Sequence, residues 1–203
     1  MGLCQSSYEY FFPPQYFIVL IDGLAHAGKT SLLFRILSGK LMPTIPTNGF
    51  HVETFAYRWA KFVFWDVGTH GSTDFEHSLR IKCDVMIFVV DSTEAVYSLA
   101  ESRTKLHHIL ENRPGIPLLL LNSRTDLPES KSSNEVAKTL GLYDMLNREW
   151  TIQNCSVLSG DGIDAALETV YLSLTKKKQM AARYDSRRLW LEYDSESSRT
   201  AQV

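Results

Sequence analysis

Eight residues, Gly23-Leu24-Ala25-His26-Ala27-Gly28-Lys29-Thr30, place two glycines, a lysine and a hydroxyl at the spacing G-x-x-x-x-G-K-[ST]. That spacing suits one chemistry, the cradling of a polyphosphate. Glycines let successive backbone N–H groups turn inward around an anion, and a helix N-terminus adds the positive end of its dipole. The candidate contacts are Gly23, Ala25, His26, Ala27, Gly28 and Ser31 along the loop. Lys29 would reach the β- and γ-phosphates, and the Thr30 hydroxyl would bind Mg2+. The bland alternative is a glycine turn before a core helix. Context argues against it: the apolar run Tyr16–Ile21 precedes the motif as a buried strand, and Leu32, Leu33, Ile36 and Leu37 follow at helical spacing.

Four later stretches supply further groups. Thr47 lies in the Pro/Gly-rich loop Pro43–Phe50, where a hydroxyl can join a metal when a γ-phosphate is present. Trp65-Asp66-Val67-Gly68 ends a strand with a carboxylate suited to the magnesium shell, and the Gly68 N–H is expected to approach the γ-phosphate. Ser123-Arg124-Thr125-Asp126 follows a buried strand, so Asp126 should emerge at the carboxyl edge of the sheet, where ligands bind in such folds. A carboxylate there accepts both N–H groups of guanine, a pair that adenine lacks. The backbone of Ser156-Val157 after the last strand would meet the base oxygen.

These groups need a frame, and the pattern provides one. Strands are expected at Tyr16–Ile21, His51–Tyr57, Lys61–Asp66, Val85–Asp91, Ile116–Leu121 and Trp150–Cys155. Helices are expected after the phosphate loop, over Thr93–Glu111 and Asn134–Leu142, and from Ile163. Strands alternating with helices imply a mostly parallel sheet covered on both faces, with the hairpin at 51–66 adding an antiparallel edge.

The bulk properties narrow the class. A chain of 203 residues, 44% hydrophobic and 22% charged, suits one α/β domain with appendages. A net charge of −2 offers no global field for nucleic acid. Three scattered cysteines, Cys4, Cys83 and Cys155, fit a reducing compartment rather than a disulfide framework or zinc site. No run reaches the length of a membrane span. A cytoplasmic monomer is expected. Three segments follow: 1–15, 16–178 as the globular domain, and 179–203 as a tail, basic at first and then disordered. Met1-Gly2-Leu3-Cys4-Gln5-Ser6 fits the myristoylation pattern at Gly2, with Cys4 a candidate for palmitoylation. One acyl chain binds membranes only marginally, so the second signal matters for peripheral attachment. Lys176–Lys178 with Arg183, Arg187 and Arg188 reads either as a solvated helix end or as a patch for anionic lipid.

From about Tyr16 to Lys178 the chain resembles the ADP-ribosylation-factor (Arf and Arf-like) branch of the Ras superfamily of small GTPases. The residues that carry the resemblance are Gly23-Leu24 with Ala27–Thr30, Pro43–Thr47 with Gly49-Phe50, Val52-Glu53-Thr54 and Trp65–Gly68. Phe88–Ser92, Asp126-Leu127-Pro128, Leu140-Gly141-Leu142, Trp150 with Ile152-Gln153, and Ser159–Gly162 carry it as well. The resemblance implies a P-loop G domain with a six-stranded sheet, GTP or GDP with Mg2+, and switch regions that reshape on GTP binding. It also implies exchange factors, GTPase-activating proteins and effectors as partners, and a role in membrane trafficking or signalling.

The departures bear on mechanism. The family continues Trp-Asp-Val-Gly-Gly-Gln; here the run is Trp65-Asp66-Val67-Gly68-Thr69-His70, so His70 replaces the glutamine that orients the attacking water. Imidazole lacks the carboxamide's paired donor and acceptor, and slow hydrolysis is expected. An aromatic triad that the family shows to effectors keeps Phe50 and Trp65, with Arg80 at the third position. The family's Asn-Lys-x-Asp becomes Ser123-Arg124-Thr125-Asp126. Without the asparagine, hydrogen bonds to base and phosphate loop worth roughly 1–3 kcal/mol each should be missing. Arg124 can still stack on a base, and a bulge would be needed to bring Asn122 into the asparagine's place. Asp22 puts a carboxylate near the phosphates and should weaken binding if ionised. Two readings follow: a membrane-anchored GTP switch with slow hydrolysis, or a pseudo-GTPase scaffold with weak or single-state nucleotide binding. A P-loop ATPase or kinase is disfavoured by Asp126, and competition between ATP and GTP would decide that point.

Overall fold

The computed structural model describes residues 15–68, 81–176 and 178. Its frame is a six-stranded sheet in the order β2-β3-β1-β4-β5-β6. The strands are β1 (Gln15–Gly23), β2 (Phe50–Tyr57), β3 (Ala60–Val67), β4 (Val85–Asp91), β5 (Leu118–Ser123) and β6 (Trp150–Asn154). All neighbours run parallel except the β2–β3 hairpin at one edge. The helices are α1 (Lys29–Ser38), α2 (Val96–Glu111), α3 (Ser133–Thr139) and α4 over residues 163–176.

Central strands that are buried on both faces read as continuous apolar runs, and β4 is buried at every position. Side chains alternate between two cores. Val19, Ile21, Phe62, Phe64 and Ile87 join Leu32, Leu33 and Ile36 of α1 and Ile163, Leu167 and Val170 of α4 on one face. Leu20, Met86, Phe88 and Leu120 join Leu99, Leu106 and Ile109 of α2 and Val136 of α3 on the other. The parallel strands therefore deliver their carboxyl ends, Gly23, Val67, Asp91 and Ser123, to one edge of the sheet.

Several boundaries differ from the sequence expectation, each for a local reason. Helix α2 starts at Val96 rather than Thr93, because Asp91 Oδ1 accepts hydrogen bonds from the Thr93 N–H and hydroxyl and holds that segment in a turn. Strand β5 starts at Leu118 rather than Ile116; Pro117 has no N–H for a ladder, and the strand runs on to Ser123. Helix α3 is capped by Ser132 and Glu135 in a reciprocal box, and Gly141, at φ 70°, turns the chain out before Leu142. The hairpin loop is two residues, Arg58-Trp59, with Ala60 paired to Tyr57 rather than in the turn. Arg58 takes a φ of 54°, uncommon for arginine, and its guanidinium bonds Glu168 at 2.9 Å and stacks on Tyr57 and Tyr171.

Candidate functional site

The phosphate loop leaves β1 through Gly23, where only a glycine fits: a Cβ would stand 2.3 Å from the Val89 carbonyl oxygen. It enters α1 through Gly28, at φ 94°, and no side chain caps the helix. The first-turn N–H groups therefore remain available to an anion. Lys29 opens the helix and is buried, with its ammonium donating to the Leu24 carbonyl at 2.7 Å and to Gly23 at 3.4 Å. Burial lowers its pKa to about 8, opposed by the attraction of Asp22 and then Asp66. A bound phosphate would favour the charged form. Around this loop lies a cavity of about 230 Å3, lined by His26, Gly28–Ser31, Thr44–Thr47, Gly68 and Arg124.

The three residues assigned to the metal from sequence converge here. Thr30 Oγ1 lies 2.7 Å from Thr47 Oγ1 and donates to Asp66 Oδ2 at 2.6 Å, and Thr47 Oγ1 reaches the same oxygen at 3.4 Å. Asp66 is completely buried between its ladder neighbours Ile21 and His51, and its other oxygen, Oδ1, makes no hydrogen bond. Burial raises the Asp66 pKa, while the Thr30 bond and the Lys29 charge lower it. Two hydroxyls and a carboxylate with a spare, unpaired oxygen form an all-oxygen donor set fitted to a hard divalent cation. The loop carrying Thr47 is closed onto α1, with a second tie from Thr44 Oγ1 to Ser31 Oγ at 3.0 Å.

Gly68 lines the cavity, but its N–H does not face it freely. That N–H donates to the Gly49 carbonyl at 2.8 Å, continuing the β2–β3 ladder beyond Val67. The position needs glycine for a different reason, since a Cβ would meet the Thr47 carbonyl oxygen at 2.3 Å.

The base end also departs from expectation. Ser123 is buried at the end of β5, and its hydroxyl donates to the Ala27 carbonyl at 3.1 Å. A bond from this position to the phosphate loop, expected to be absent without the asparagine, is thus made by the shorter serine. Asn122 is not brought into the asparagine's place by a bulge. It keeps regular register between Val90 and Asn154, is fully buried, and donates to the Lys131 carbonyl and to Asn154 Oδ1. Arg124 takes a φ of 60°, and its guanidinium bridges Asp91, at 2.7 Å, and the His26 carbonyl, at 3.0 Å. It ties the base end to the phosphate loop. Asp126 is exposed in the following turn. The Thr125 N–H and hydroxyl both donate to the Cys155 carbonyl, bringing that turn beside Ser156 and Val157. Ser156 is buried and receives the Ser159 N–H on its hydroxyl; Val157 packs on the core. Cys155, also buried, has its thiol pushed up to about 12, chiefly by burial and secondarily by Asp126.

Asp22 is fully buried and carries its own counter-ion, Lys105 of α2, at 2.6 Å. Sequence reading passes over Lys105, because a lysine in a helix is ordinarily a solvated one. The signal for it is a charge at the end of a buried strand, which demands a cation without saying which. Asp91 is likewise missed as the anchor of Arg124. His70 and Arg80 lie outside the described residues, as do Gly2, Cys4 and the tail from 179. Among the described residues no helix is long and apolar enough to cross a membrane.

Known proteins share this fold. The chain superposes with a TM-score of 0.69 on the Arl6 BBS3 small GTPase of Trypanosoma brucei, solved with the bound nucleotide analogue GppNp. Identity is 23%, and the match covers 80% of this chain and 99% of that one. The mammalian SRP receptor also superposes with a TM-score of 0.69, at 21% identity over 76% of this chain and 99% of the other. At these identities the likeness speaks for the fold. Residues 9–174, most of the chain, match the model of the ADP-ribosylation factor family. On that match, and on the fold and loop described above, the chain belongs to the ADP-ribosylation factor family of GTP-binding switches.

Proposed function

We propose that this protein is a magnesium-dependent guanine-nucleotide switch with slow intrinsic hydrolysis, attached peripherally to a membrane through acylation at Gly2 and Cys4. It would act in trafficking or signalling through exchange factors, activating proteins and effectors. The observation that carries the reading is the convergence of Thr30, Thr47 and Asp66, with the buried Asp66 Oδ1 left unpaired. These residues would hold Mg2+, which when bound neutralises charge on the β- and γ-phosphate oxygens. Lys29 and the α1 N-terminus would bind the polyphosphate, Asp126 would select guanine, and the Arg124 stem would flank the base. Thr47 would sense the γ-phosphate through the loop that carries it. With His70 at the water-orienting position, the chain's own contribution to hydrolysis is electrostatic positioning without a carboxamide.

The scaffold reading rests on His70, Ser123 and Asp22. Two of these have local compensation, since Ser123 bonds Ala27 and Asp22 pairs with Lys105. Nucleotide binding is therefore preferred. The test is to purify the protein without added nucleotide, denature it, and identify what it carried. Stoichiometric GTP is the expected result, with His70→Gln converting it to GDP. Stoichiometric GDP in the wild type would refute slow hydrolysis. An empty protein that also fails to bind labelled GTP with Mg2+ would refute the switch and leave the scaffold.

A further inference from the structure

The end of β1 holds an ion pair that phosphate binding by the loop does not itself require. Asp22 is 0% exposed, and its Oδ1 accepts the Gly23 N–H at 2.7 Å and meets Lys105 Nζ at 2.6 Å. Its Oδ2 is buried and makes no hydrogen bond. Lys105 reaches in from α2 with its side chain 14% exposed, and the same ammonium donates to the Gly23 carbonyl at 2.8 Å. That carbonyl also receives Lys29 Nζ, at 3.4 Å. One carbonyl therefore serves two ammonium groups at the root of the phosphate loop, and the carboxylate beside it pairs with Lys105.

Electrostatics sets the division of labour. A buried carboxylate is costly unless a cation pairs with it. Lys29 feels Asp22 as its strongest attraction and Lys105 as a repulsion. With Lys105 in place, Asp22 has its counter-ion, and Lys29 makes its shorter contact, 2.7 Å, on the Leu24 carbonyl and not on the carboxylate. With Lys105 removed, Lys29 is the cation left to compensate Asp22.

We propose that Lys105 is a positioning residue for the phosphate site: by neutralising Asp22 and holding the Gly23 carbonyl, it keeps the Lys29 ammonium for the polyphosphate of the bound nucleotide. The inference rests on the pocket being a nucleotide-phosphate site, and it makes α2 an element on which nucleotide retention depends.

The test loads the full-length protein with a fluorescent GDP analogue and follows its release into excess unlabelled GDP at fixed Mg2+. Lys105→Met leaves Asp22 to Lys29, and release should accelerate on the order of 10–100-fold, by analogy with the loss on removing an outer-shell partner of a metal ligand. Lys105→Arg keeps the charge and should release more slowly than Lys105→Met. Asp22→Asn keeps the shape but deletes the counter-charge, so both ammoniums act on the phosphates and release should slow. Opposite signs for Lys105→Met and Asp22→Asn are the signature. A pair that merely braces the fold would speed release in both variants or change it in neither, and either result overturns the proposal. Should Lys105→Met fail to fold, Asp22→Asn decides: slower release supports the inference, while unchanged or faster release overturns it. A wild-type protein that retains no nucleotide would refute the phosphate-site reading and this inference together. Wild-type retention with the wrong signs refutes the inference alone.

Discussion

Replacing Ser123 by alanine isolates the bond that ties β5 to the phosphate loop. The Ser123 hydroxyl donates to the Ala27 carbonyl at 3.1 Å, and Ser123 and Ala27 are 2% and 1% exposed. Water therefore does not readily replace the donor when it is removed, and the carbonyl is left with an unsatisfied acceptor. Such a change costs about 1–3 kcal/mol, at the lower end here because a carbonyl tolerates under-satisfaction better than an N–H does. A cost of about one to two kcal/mol corresponds to a factor of about 5–30. Because the bond spans the loop and the base end, part of that cost should appear as faster nucleotide release. The assay is release of a fluorescent GDP analogue from Ser123→Ala and wild type at equal Mg2+, with thermal unfolding of the nucleotide-free proteins alongside. Faster release with a small drop in Tm is expected. Release at the wild-type rate would refute the idea that this serine braces the phosphate loop in place of the family's asparagine.

Three further outcomes follow from the same geometry. Asp66→Asn removes the carboxylate bonded to both Thr30 and Thr47, and should weaken the Mg2+ dependence of nucleotide retention by roughly tenfold or more, a change of at least about 1.4 kcal/mol; an unchanged magnesium titration would refute its role. Cys155 has a thiol held at about 12 against an ordinary 9.0, so between those values the folded chain keeps a proton that the unfolded chain releases. Its contribution is therefore fully present below pH 9.0 and declines as pH rises through that window, by up to about 1.4 kcal/mol per pH unit. The stability difference between wild type and Cys155→Ala, from urea unfolding at increasing alkaline pH, should shrink accordingly. Asp91→Asn loosens an ion pair whose Arg124 side chain is 46% exposed, so release should quicken by less than about tenfold and the effect should fade in high salt.

How much is legible in the sequence depends on whether a feature is local. The phosphate loop is written in adjacent residues, because an anion cradle needs glycines, a lysine and a hydroxyl at fixed offsets within one turn. Strand β4 is readable because a strand buried on both faces must be apolar throughout. The helix ends are less so: the turn that Asp91 makes with Thr93 competes with helix over only a few residues, below the reach of a periodicity argument. At the base end the pattern alone points to a gap, but a serine and a carbonyl meet across the sheet edge and supply one of the two bonds.

The amino-acid order by itself determined the sheet, its single antiparallel edge and the order in which the phosphate loop and the candidate metal and base residues arrive along the chain. These follow from hydrophobic alternation, turn residues and the short-range geometry of a glycine loop. The tertiary structure decided which charges face one another. Asp22 looks like a defect beside a phosphate until α2 brings Lys105 to within 2.6 Å, and Asn122 looks one residue from usefulness until the ladder register turns it into the core. The meaning of a buried charge or amide lies in its partners, and those are selected by packing between elements distant in sequence.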